Sequence, residues 1–163
     1  MIIRYAKICL VLGVGLFGLL AAFTNMMIPE ITYAAVQRAV GMGDVIQHSN
    51  VGWRAVASPT FAAILFGLIV LVEFGGGVLC LWGGYQLWRV RAAPAAKFNS
   101  TKSSALTGLV VIALLYLVGF LVILSEWFLM WSTQGLNVLP DALRAFVPAM
   151  LILMYLSTPD ADT

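Results

Sequence analysis

From about Thr60 to Trp88 the sequence carries a single charged side chain, Glu73, inside an otherwise apolar run. A helix rises about 1.5 Å per residue, so a helix of this length outspans the roughly 30 Å hydrocarbon core of a bilayer and must tilt or project beyond it. Three more runs of similar character occupy residues 8–28, 104–131 and 141–156, the last one short and interrupted by Pro148. The chain is 62% hydrophobic and 10% charged, whereas a soluble domain is about a quarter charged. So few charges cannot coat a surface in water, which makes lipid the principal solvent. The expected fold is an all-α membrane protein of one domain, 1–163. Four transmembrane helices form two hairpins, joined by segments 29–59, 89–103 and 132–140.

The first run is longer than the 7–15 residues or so of a signal-peptide core, and no small-residue cleavage pattern follows it, so it reads as a retained anchor. Pro29 stops it. In 29–59, Ile31, Ala34, Ala35, Val36, Ala39, Val40 and Met42 roughly follow helical spacing, with Gln37 and Arg38 opposite. That pattern predicts a short amphipathic helix at the membrane surface, broken at Gly41 and Gly43. Ser58-Pro59 is a helix start, with serine as the cap and proline in the first turn.

Basic residues set the orientation. Arg4, Lys7, Arg89, Arg91, Lys97 and Lys102 share one side, while Arg38, Arg54 and Arg144 lie on the other with acids nearby. The cation-rich side is expected in the cytoplasm, together with both termini. Trp53, Trp82, Trp88, Trp127 and Trp131 fall near the boundaries, as an aromatic belt does. No dense basic stripe with interleaved aromatics points to nucleic acid.

The segments WRAVASP (53–59), EWFLMW (126–131), Glu73, Asn137 and Leu143-Arg144-Ala145-Phe146 resemble a bacterial family of predicted small integral membrane proteins, classed as a domain of unknown function. Leu136 departs from the pattern, standing where an aromatic is expected. The resemblance covers nearly the whole chain and implies four membrane helices in a bacterial inner membrane. It implies no activity.

Five features bear on function. Glu73 lies near mid-membrane, where an acid must be paired or protonated and is by default a functional candidate. With no Lys or Arg at that depth, it is expected as a neutral acid hydrogen-bonded to a neighbouring helix. A proton- or ligand-handling role and a subunit contact are the alternatives. Glycines 75–77, 83 and 84 allow close approach of another helix. Gly13, Gly15 and Gly18 could be the matching surface within the chain. Gly76 and Gly77 could otherwise form part of a binding face for a partner helix or flat ligand. Arg54, Glu126, Asn137 and Arg144 share one membrane face, where a bidentate carboxylate–guanidinium clamp could tie the hairpins together; a polar pocket for a headgroup, quinone or partner loop and solvated, unpaired side chains are the alternatives. The single histidine, His48, falls in a polar loop, so neither a bis-histidine haem nor a zinc site is expected, and no cofactor is implied. Cys9 and Cys80 lie in apolar runs and read as structural thiols.

No catalytic constellation is present in the sequence, and no enzymatic activity is expected. The reading is a non-catalytic accessory or assembly subunit of a larger inner-membrane complex, partnered by other membrane subunits or by copies of itself. The alternative is a small binding or transport protein using Glu73 for a proton or lipid-like ligand.

Overall fold

The computed structural model describes residues 1–43, 45, 50–133 and 135–162. In chain order the helices are α1 (Ile2–Met27), α2 (Pro29–Gly41), α3 (Pro59–Arg89), α4 (Ala95–Ser100), α5 (Ser103–Leu114) with a continuation over Leu115–Trp127, and α6 (Leu139–Ser157). Four segments are long and apolar enough to cross a membrane: α1, α3, α5 with its continuation, and α6. No strand occurs among the described residues.

The packing is inside out relative to a soluble bundle. Leu16, Phe23 and Leu71 face outward, while Arg4, Lys7, Glu73 and Lys102 are buried. In water the outward leucines and phenylalanines would be strongly unfavourable; in lipid they are solvated, and burial is left to small and polar side chains. On α1 the inward residues Ile8, Val11, Gly15, Gly18 and Ala22 recur every three to four positions, and on α3 Glu73, Gly77, Cys80, Gly84 and Leu87 do the same. α1 packs along α3, α3 along α5, and α5 along α6, while α1 and α6 meet only sparsely.

Local signals explain the ends. The Ser58 hydroxyl accepts a bond from the Phe61 N–H at 3.3 Å, and Pro59 opens α3. α2 forms where the amphipathic pattern predicts it and ends with Met42 in the left-handed region at φ 48°. Its buried residues Val36, Ala39 and Val40 join a core cluster with Ile69, Leu124 and Phe128, so its apolar face packs on protein. The third spanning helix is not α-helical throughout. From Leu115 it widens into a π-helix, closing with the Phe128 N–H donating to the Ile123 carbonyl at 3.1 Å. The helix expected to reach Trp131 stops at Trp127, because Leu129 adopts φ 51° and cannot continue it. Gly135 supplies the other positive φ of the turn, where glycine carries no steric penalty.

The two ends of the bundle carry different segments. Arg4 donates from Nη1 to the Arg91 and Ala93 carbonyls and from Nη2 to Ala161, which places the N-terminus, the 89–102 loop and the C-terminal tail together. Arg54 lies at the opposite end, 4.8 Å over the Trp127 ring. The tail folds inward and locks this first end. Asp160 Oδ2 accepts from Lys7 Nζ at 2.8 Å and from Lys102 Nζ at 2.6 Å, and both ammonium groups also donate to the Thr158 carbonyl. Asn99 pairs reciprocally with the Asp160 backbone, at 3.0 Å in each direction. Three of the six cations that orient the chain are thus consumed inside the protein.

Candidate functional site

Glu73 stands midway along α3. On an α-helix each Cα–Cβ bond leans toward the helix N-terminus, so its side chain rises toward the end covered by α2. The Glu73 carbonyl faces Gly18, where an added Cβ would come within 2.9 Å. The carboxyl group reaches two turns further along α1, where Asn25 Nδ2 donates to Oε2 at 2.8 Å. The Tyr116 hydroxyl donates to Oε1 at 3.0 Å, and the Thr32 hydroxyl donates to Asn25 Oδ1 at 2.7 Å. One polar chain therefore joins α1, α2, α3 and the first turn of the π-helix around a carboxyl group whose residue is 3% exposed. Unsatisfied at that depth, it would destabilise the fold by several kcal/mol. The sequence reading anticipated a helix-borne partner but named none of these three. Both carboxyl oxygens thus have neutral polar partners on neighbouring helices.

A cavity of about 380 Å³ opens onto this group. Ala35 and Val36 of α2 and Phe120 and Leu124 of the π-helix form apolar walls, while exposed Thr24, Ile31 and Asp141 stand at its rim. The site lies where the two core clusters meet, at Leu115 and Phe120. An adjoining hollow of about 410 Å³ shares Tyr116, Phe120 and Asp141 and runs between Phe17 of α1 and Arg144 of α6. The cavity thus adjoins the sparse α1–α6 seam.

Gly76 and Gly77 do not form a binding face. A Cβ at Gly76 would press on Ile112 at 2.8 Å, and one at Gly77 would meet the Leu19 nitrogen at 2.9 Å and the Gly15 carbonyl at 3.0 Å. Both glycines serve contact within the chain, Gly76 with α5 and Gly77 with α1, where Gly15 and Gly18 are the matching surface, while Gly13 and Gly75 face open space.

The clamp is also corrected. Arg144 pairs with Asp141, one helical turn away on α6, and both side chains are largely exposed. A partner three residues distant needs no ordering of a second hairpin, so the local pair prevails. Arg54 stacks on Trp53 and Trp127 and meets no carboxylate among the described residues, and Glu126 is exposed and joined to neither arginine. Asn137 accepts the Leu139 N–H at 3.1 Å, a local turn that leads into α6. Glu126→Gln is accordingly expected to leave yield and melting temperature in detergent unchanged. A fall of several degrees would restore a pairing role to that carboxylate. The five tryptophans are all exposed, as a belt requires. His48 lies outside the described residues.

A bundle of four membrane-length apolar helices, with polar groups inward and hydrocarbon outward, defines a small integral membrane protein. The chain belongs to the family of predicted small integral membrane proteins (DUF2165), whose model matches residues 3–159. Comparison with curated proteins and with solved structures gives no match.

Proposed function

We propose that this protein is a non-catalytic binding protein of the bacterial inner membrane, with both termini cytoplasmic, that holds a small amphipathic ligand in the cavity at Glu73. The observation that carries the reading is a desolvated carboxyl group fixed by Asn25 and Tyr116 at the floor of a cavity of about 380 Å³ with mostly apolar walls. Pockets of this size and character, with a few placed polar groups, are the usual form of a small-molecule site. The cation-rich end supports the orientation through Arg89, Arg91 and Lys97, which remain outside the internal lock.

A second reading, an accessory or assembly subunit, is favoured by an apolar groove of about 400 Å³ between α3 and α5, walled by Leu65, Leu68, Val111 and Val118. Lipid chains fill such a groove equally well, so the polar cavity weighs more.

Native mass spectrometry from mild detergent is expected to show a small-molecule adduct that disappears in Ala35→Phe, which puts a ring into the cavity from its α2 wall. Absence of any adduct sensitive to that substitution, with stoichiometric partner polypeptides in its place, would favour the accessory role instead.

A further inference from the structure

We infer that the ligand of the Glu73 cavity is a lipophilic organic cation, with Glu73 as its counter-ion; this rests on the reading of the cavity as a ligand site. Both oxygens of the carboxyl group are held by neutral groups, Asn25 Nδ2 and the Tyr116 hydroxyl. That geometry supports negative charge yet brings no positive charge to balance it, and among the described residues no Lys, Arg or His lines the cavity. Besides Tyr116, the ionisable side chains lining it among the described residues are both acids, Glu73 and Asp141. Asp141 stands at the rim, already paired with Arg144. The groups facing Glu73 from α1, α2 and the π-helix are Asn25, Thr32 and Tyr116, all uncharged at neutral pH.

The walls determine what kind of cation fits. Phe120 stacks beside Tyr116 with ring centroids 5.3 Å apart, giving aromatic surface next to the carboxyl group. Ring faces attract ammonium groups, most strongly where water is excluded. Beyond the rings, Ala35, Val36 and Leu124 supply apolar surface for a hydrocarbon substituent. A bare divalent ion would need several oxygen ligands, and among the described residues no group of three His, Cys, Asp or Glu side chains gathers to hold one. A charged amine head near Glu73, with its hydrocarbon part toward the rim and the α1–α6 seam, satisfies both halves of the cavity.

The test uses three probes with the same six-carbon chain, hexyltrimethylammonium, hexanol and hexanoate, titrated into the full-length protein in mild detergent with melting temperature as the readout. The cation is expected to stabilise the wild type, the other two to do so negligibly, and Glu73→Gln to weaken the cation's apparent affinity by about tenfold or more. Ala35→Phe, which keeps the carboxyl group but fills the space, is expected to abolish the effect and serves if Glu73→Gln does not fold. Equal or stronger stabilisation by hexanol or hexanoate, blocked by Ala35→Phe, would overturn the cationic class while leaving the cavity a ligand site. No response to any probe would overturn both.

Discussion

Asp160→Asn is expected to destabilise the protein by about 3–5 kcal/mol, the range seen when one partner of a buried ionic group is removed. Lys7 and Lys102 converge on this one carboxylate, and the side chains of all three are nearly sealed from solvent, at 1%, 5% and 3% exposed for Lys7, Lys102 and Asp160. Without the negative charge two ammonium groups remain buried side by side, sharing the Thr158 carbonyl. Lys102→Met should cost less, because it leaves a one-to-one pair between Lys7 and Asp160. Unfolding in mixed micelles with rising fractions of denaturing detergent orders the variants. A loss below about 1 kcal/mol for Asp160→Asn would mean that the lock is solvated.

The same cluster gives a pH dependence of definite sign. Burial pushes the Asp160 carboxyl up, but its bonds to Lys102 and Lys7 and their charges outweigh this and hold it below its usual 3.8. The unfolded chain therefore binds the extra proton first, and the stabilisation is full above about pH 4 and lost as pH falls through the lowered value. Burial likewise holds Lys102 below its usual 10.5, against the pull of Asp160. Its contribution to stability therefore grows as pH rises from that lowered value toward 10.5. Melting temperature in wild type should hold down to about pH 4 and then drop. Asp160→Asn should start lower and lack its share of that drop.

Gly83→Leu is expected to be as damaging for a steric reason. A Cβ at Gly83 would fall onto the backbone of Ala105, which cannot move aside as a flexible side chain can. Overpacking usually costs about 1–3 kcal/mol, and a clash with a neighbouring helix backbone belongs at or above the upper end. Gly75→Leu is the control: nothing lies within 4 Å of its Cβ position, so the change should stay within about 0.5 kcal/mol. Were the glycines a docking face for another subunit instead, Gly83→Leu would leave the isolated protein intact.

Hydropathy alone made the four spanning helices legible, because a run with one charge in a bilayer's length has few other solutions. Glu73 was legible for the same reason: an acid in such a run demands a partner. Its partners were not. Depth counted along α3 sets Glu73 near mid-membrane, whereas the lean of its side chain toward the helix start carries it to Asn25, near the end of α1. Tyr116 gave no signal, because a tyrosine in an apolar stretch reads as ordinary filling until its hydroxyl is seen to point at a carboxyl group. Nor does hydropathy distinguish a π-helix from an α-helix over 115–127, since both need the same unbroken apolar residues.

The tail was the largest omission. STPDADT reads as a polar end, yet Asp160 and Asp162 are the only acids on the side that holds six cations. That imbalance was the available clue. The Glu126 clamp failed because a shared membrane face fixes depth but not azimuth around the bundle, and Arg144 had Asp141 closer at hand.

Glu73 is anchored inside the protein by Asn25. The chain has three glutamates, Glu30, Glu73 and Glu126, so solid-state NMR in lipid can read the ¹³C of Glu carboxyl groups against the side-chain ¹⁵N of asparagine. One glutamate carboxyl is expected to show strong dipolar coupling to asparagine nitrogen, consistent with the 2.8 Å nitrogen–oxygen contact, and to lose it in Asn25→Ala. Absence of that coupling in the wild type, or its persistence in Asn25→Ala, would contradict the account.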